Sequence, residues 1–289
     1  MFKNLIQRLI DKLDSFQQKH SAAAFPVAVI KKSGDDKSGY LAALITYYGF
    51  LSLFPLLLVA TTLLKILSRN NEELRDRFIE SVGQYFPIIG NELQGSIHSL
   101  NKTGLALASG ILLTLYGARG GADALRHAFN QIWDVSDKER LGFPQNLLNS
   151  LLLIFVGGGG LVLTSILSGY AIGITDITYL QIISVALSYL LLIGVFYLIF
   201  SIGISSTKPD RKDLLISASM AAIGVLILQS AGGYLLTHEL KNLSNLYGTF
   251  ALVLGLLFWI YLQVQVVLLA AEAASVRALK RWPRSLTEN

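Results

Sequence analysis

The chain has 289 residues, of which 53% are hydrophobic and only 15% charged, with a formal net charge of +5; soluble domains carry about 25% charged residues. It contains no cysteine, which excludes a disulfide framework, a thiolate nucleophile and Cys-ligated zinc or iron–sulfur centres. This composition suits a chain whose solvent is lipid. The uneven placement of its basic residues accounts for the positive charge better than nucleic-acid binding does.

From the N-terminus, Met1 to His20 mixes Lys3, Arg8, Asp11, Lys12, Asp14 and Lys19 with single apolar residues. No continuous apolar run of the kind a cleavable signal peptide needs is present there. Phe2, Leu5, Ile6, Leu9, Leu13 and Phe16 follow a three-to-four spacing that predicts an amphipathic helix. Residues 1–37 are therefore expected as a cytoplasmic amphipathic segment, lying on the bilayer surface or on the protein itself.

Six stretches then lack Asp, Glu, Lys and Arg: Ser38–Leu64, Thr103–Ala118, Leu141–Thr175, Ile177–Thr207, Leu214–His238 and Asn242–Ala271. About 20 apolar residues are needed to cross a ~30 Å hydrocarbon layer, and backbone groups inside it must satisfy one another as helix. The expectation is all-α: a polytopic bundle with six transmembrane helices near 40–65, 103–124, 147–172, 180–204, 213–237 and 246–272. The second stretch is short, and spans only if Arg119 snorkels to the headgroups. With six spans, 18 of the 24 basic residues fall on the side of the two termini and 6 on the other. The positive-inside rule then places both termini in the cytoplasm, with residues 273–289 as a basic tail.

Between the first and second spans, residues 68–102 form the only sizeable external segment. Leu74, Phe78, Val82, Tyr85 and Phe86 share one helical face, as do Leu93, Ile97 and Leu100 beyond Pro87 and Gly90. Two short amphipathic helices are expected there, as a lid or an interfacial support.

Candidate functional residues cluster near the cytoplasmic ends of spans. Arg119, Asp123, Arg126 and Asn130 recur at helical spacing on one face, with Arg119–Asp123 and Asp123–Arg126 able to pair along it. Ionisable groups at membrane depth face a partner or a wet cavity. Two readings stand: a site for an anionic headgroup or small anion, which suits guanidinium forks, or an ion-paired helix end bracing the bundle. Glu272 closes the sixth uncharged run, where it would meet Arg119 or Arg126 or stand as a solvated helix-end carboxylate. Tyr47, Tyr48 and Pro55 interrupt the first span; a proline-kinked helix with two phenols either lines a cavity or packs. The run Gly157–Gly160 reads as close helix packing or as flexibility. Gln263 and Gln265 lie inside the sixth span, and one of them is expected to make an interhelical hydrogen bond. Arg119→Glu is expected to be damaging, since it sets like charges beside Asp123.

His20, His98, His127 and His238 are scattered and offer no ligand pair for metal-dependent hydrolysis. No phosphate-binding loop, nucleophile elbow or dinucleotide fingerprint occurs. No cofactor, no metal, no nucleic-acid partner and no enzymatic activity are expected; membrane lipids are the expected partners.

Three blocks carry a family resemblance. They are Leu41 to Leu56, with Tyr47-Tyr48-Gly49-Phe50 and Phe54-Pro55; Tyr116-Gly117-Ala118-Arg119 followed by Ala124 to Trp133; and Tyr247-Gly248-Thr249-Phe250-Ala251 with Leu257 to Tyr261 and Ala271-Glu272. Together they resemble the YihY/BrkB family of bacterial inner-membrane proteins across nearly the whole chain. The resemblance implies a six-span bundle with cytoplasmic termini and a role in envelope integrity or in moving lipid or lipopolysaccharide precursors. It also carries an older "ribonuclease BN" label that these residues do not support. Ala271 stands where the family commonly has glycine.

Overall fold

The computed structural model describes residues 21–67, 105–173, 178–205, 209–247 and 249–283. Among them there is no strand, and seven α-helices follow in chain order: α1 Ser21–Asp35, α2 Ser38–Leu67, α3 Leu105–Ile132, α4 Gln145–Gly173, α5 Thr178–Gly203, α6 Arg211–Tyr247 and α7 Thr249–Ala278. The amphipathic N-terminal helix expected before residue 21, the external segment 68–102 and the tail beyond 283 lie outside the described residues.

The helices α2 to α7 fall on the six charge-free stretches. Three helical segments, Ala186–Gly203, Arg211–Gln229 and Val253–Ala278, are long and apolar enough to cross a membrane among the described residues. One expected turn is corrected. Residues 238–245 are helical, and α6 runs on to Tyr247. Glu239 and Lys241 end the apolar run there, but no proline or glycine interrupts the backbone before Gly248. The end of the apolar run is not the end of the helix.

Each of α2 to α7 packs on its neighbour in sequence, and α7 returns against α2, closing the series; α1 lies on α7 and α2. The buried core joins Leu41, Ala42 and Ile45 of α2 to Ala128, Phe129 and Ile132 of α3, Phe200 of α5, Leu214 and Ala218 of α6, and Leu268 and Ala271 of α7. These are the starts of α2 and α6 and the ends of α3, α5 and α7. The helices thus alternate in direction and gather at one end of the bundle. Phe129 and Phe200 stack there with ring centroids 4.9 Å apart.

Facing outward, the same helices are apolar. Leu44, Tyr47 and Leu51 of α2, Leu148, Leu152 and Phe155 of α4, Ile183, Leu187 and Leu190 of α5, Ile223 and Ile227 of α6, and Phe250, Leu254 and Phe258 of α7 are all exposed. Their three-to-four spacing makes outward stripes. Soluble monomers rarely expose contiguous apolar patches beyond a few hundred Å²; stripes repeated on successive helices are what lipid contact requires.

Close approach is set by a few glycines. A Cβ at Gly120 would lie 2.5 Å from the Tyr48 ring, so glycine there lets α2 settle on α3. In the Gly157–Gly160 run, only Gly160 meets a neighbour, Val195 of α5; added Cβ atoms at the other three would meet nothing within 4 Å. The expectation of close packing along the whole run is therefore corrected to a single position.

Candidate functional site

The polar residues converge where α3 ends. Asp134, at φ 48°, closes α3: the Val135 N–H donates to Asn130 O at 2.8 Å and the Asp134 N–H to Gln131 O at 3.0 Å. This double closure satisfies carbonyls that a helix end otherwise leaves open. The end of α7 repeats it around Lys280 (φ 52°), with Arg281 N–H to Val276 O at 2.9 Å and Lys280 N–H to Arg277 O at 3.2 Å. The two caps are tied together: Arg281 pairs with Asp134, and the Ser275 hydroxyl donates to Ile132 O at 2.8 Å.

One face of α3 carries the predicted Arg119, Asp123, Arg126 and Asn130, and the structure spreads them over two environments. Arg119 and Asp123 pair at 3.8 Å with half-open side chains, 53% and 38% exposed. Asp123 also accepts from the Ser150 hydroxyl of α4. One turn on, Arg126 is 3% exposed. Its guanidinium donates to the backbone carbonyl of Asn146 at 2.9 Å, to the Asn146 side-chain oxygen, and to Ser205 Oγ at 3.4 Å. Its Nε is buried without a hydrogen-bond partner. Burial lowers the Arg126 guanidinium from its ordinary value, and the Asp123 carboxylate opposes that shift. Asn130 completes the link to the end of α5. Its amide donates to Ser205 Oγ at 3.1 Å, and its Oδ1 accepts from the Ser205 N–H at 2.8 Å.

Glu272 does not join this group. It is fully buried, which removes the reading of a solvated helix-end acid, and its partners come from α1 and α2. The Lys32 ammonium stands 3.1 Å from Glu272 Oε2, and the Ser38 hydroxyl donates to Oε1 at 2.8 Å. Lys32 also pairs with Asp36, four residues on. The expected meeting with Arg119 or Arg126 is thus corrected to a meeting with Lys32. Helix ends favour this arrangement: Lys32 lies in the last turn of α1, which attracts cations, and Ser38 opens α2, whose N-terminus attracts anions. The corner is fixed to α3 by Gln131, whose amide donates to Asp36 O at 2.6 Å.

Lys32 is the residue that sequence reasoning missed. Its signal was present: Ala24, Ala28 and Lys32 recur at four-residue steps and are all buried, a small-residue stripe that ends in a cation. Tyr47 points outward at 55% exposure, and Tyr48 packs on Gly120 and Gly121, the two rings meeting edge-on at 5.4 Å. The helix α2 passes through Pro55, whose side chain lies outside those described. Within α7, Gln263 Nε2 and Gln265 Oε1 are buried without hydrogen-bond partners.

The chain matches the family Virulence factor BrkB over residues 29–288. Among its relatives is a UPF0761 membrane protein of Alcanivorax borkumensis, 27% identical in an alignment that covers 90% of this chain and 61% of that protein. A second is the ribonuclease-like protein YfkH of Bacillus subtilis, 26% identical over 83% of this chain and 88% of its own length. A third, the UPF0761 membrane protein VP0125 of Vibrio parahaemolyticus, is 24% identical over 92% of this chain and 86% of its own. The chain therefore spans about three fifths of the Alcanivorax protein and most of the other two. No solved structure matches it. With its helices apolar on their outer faces and its match running from α1 to beyond α7, the chain belongs to the BrkB family of membrane proteins.

Proposed function

We propose that this protein crosses the bacterial inner membrane six times with both termini in the cytoplasm, catalyses no reaction, and handles an anionic lipid or small anionic envelope component at the end of the bundle where α3 closes. Six spans are supported by the alternating direction of α2 to α7 and by their outward apolar stripes. A cytoplasmic placement of the polar end is supported by the Lys and Arg residues of the segments that meet there.

The observation that carries the anion reading is Arg126. It is a buried cation whose direct hydrogen bonds go to neutral oxygens of Asn146 and Ser205, with its Nε–H left without a partner. Carboxylate and phosphate oxygens are the acceptors that a guanidinium fork matches. Arg119, two turns earlier on the same face of α3 and half-exposed, stands at the entry to it. An anionic headgroup arriving along α3 would meet Arg119 first and Arg126 behind it. Purified protein reconstituted in liposomes tests this. Flux of a labelled anionic lipid or small anion is expected to fall about tenfold or more in Arg126→Lys and less in Arg119→Ala, with flux equal to protein-free vesicles contradicting the proposal.

A second reading has its own support. Asp123, Arg126 and Asn130 all reach partners on α4 or at the end of α5, as a brace would. Under that reading the protein is a non-catalytic structural or assembly factor of the envelope, Arg126→Lys lowers stability, and vesicles carrying the wild-type protein are as impermeable as empty ones.

A further inference from the structure

Two carboxylates share one ammonium at the corner between α1 and α2. Lys32 Nζ lies between Asp36, in the turn that follows α1, and Glu272 of α7, 3.1 Å from the latter. The cluster carries one negative charge in excess, at a place where Glu272 is 0% exposed and the Asp36 side chain 16%. An uncompensated buried charge is costly, and the usual resolution is to take up the missing proton. The charges acting on Glu272 are Lys32 and Asp36, with Ser38 of α2 as donor to Oε1. The other elements packed on α7 bring groups already engaged elsewhere: Gln131 of α3 on Asp36 O, Asp213 of α6 paired with Arg277 at 3.8 Å, and Asp134 paired with Arg281. No second cation from these elements pairs with Glu272 among the described residues.

We infer that Lys32, Asp36 and Glu272 form a proton-binding site, and that protonation of Glu272 releases α1 from the bundle. The geometry makes the link specific. With Glu272 ionised, Lys32 bridges α1 to α7. With Glu272 neutral, Lys32 keeps Asp36, its i,i+4 partner just past the end of α1, and the charged tie between α1 and α7 is gone. What remains is the Gln131 bond to Asp36 O at the corner and a small apolar contact of Ala28 and Val29 with Ala273 and Val276, edged by Phe25, Leu269 and Trp282. The sign follows: α1 is docked above the titration and released below it. This inference does not depend on what the protein transports, or on whether it transports anything.

The chain's lack of cysteine permits a clean test. Val29→Cys places a thiol in the α1–α7 contact, and Lys138→Cys gives an exposed reference for the intrinsic pH dependence of thiol reactivity. In full-length protein in lipid nanodiscs, the labelling rate at position 29 relative to 138 is expected to rise about tenfold from about pH 8 to about pH 5.5, following Glu272 protonation. In the Glu272→Gln background, which keeps an acceptor for Ser38, the ratio is expected to be high and flat across that range. A flat ratio in the otherwise wild-type background overturns the inference. So does a pH response that survives Glu272→Gln.

Discussion

Two latches hold the same end of this bundle and solve the problem of a buried cation in opposite ways. Lys32 is matched by two carboxylates, Asp36 in the turn after α1 and Glu272 of α7; Arg126 is matched by a carbonyl, an amide oxygen and a hydroxyl. The first latch fastens α1 to the bundle through charge. The second fastens α3 to α4 and α5 through a neutral network. A charge-paired latch responds to the loss of either member, because the survivor is left charged and dry. A neutral one loses only hydrogen bonds.

The largest effect that can break this comparison is expected from Lys32→Met. It leaves Glu272 and Asp36 together without their cation, and removing one partner of a buried pair costs about 3–5 kcal/mol. Thermal unfolding in detergent measures it, and Lys32→Met combined with Glu272→Leu is expected to recover most of the loss, since the dry charge goes too. Arg126→Lys comes next, at about 1.5–3 kcal/mol, the usual worth of hydrogen bonds to a charged group. A lysine cannot reach Asn146 and Ser205 at once. If Arg126→Lys proves more damaging than Lys32→Met, the two latches have been ranked wrongly. Asn130→Ala is expected to cost about 1 kcal/mol, and to be less than additive with Arg126→Lys because both use Ser205; a double-mutant cycle reports the coupling. Smallest is Arg119→Glu. The sequence suggests damage from like charges beside Asp123, but a pair 3.8 Å apart and about half exposed is worth at most about 1 kcal/mol, so stability is expected to change little.

What could be read in advance follows the same division. The helices were legible because sequence suited to lipid excludes charge over long runs, and Val253–Ala278 is long and apolar enough to cross a membrane. The Arg119–Asn130 face was legible because its members lie on one helix, where spacing alone fixes their neighbours. The Lys32–Glu272 pair was not. Ser38 and Glu272 are 234 positions apart, and nothing local in the sequence says that α7 returns against the corner of α1 and α2. Lys31, Lys32 and Lys37 also look alike in a mixed-charge segment; only the buried stripe of Ala24 and Ala28 singles out Lys32. The length of α6 escaped for a related reason. Glu239 and Lys241 mark where lipid contact would end, but neither residue breaks a helix, and α6 runs on to Tyr247.

The central claim is that α2 to α7 run alternately through the bilayer, so that all the polar connections gathered around α3 lie on one side. Single cysteines at Ser136, Asp210 and Pro283, all exposed, test it with an impermeant thiol reagent on intact cells and on inverted membrane vesicles. All three are expected to label only in inverted vesicles, and a cysteine at Gly95, beyond the described residues, only in intact cells. Labelling of Ser136 and Asp210 from opposite sides would contradict the account.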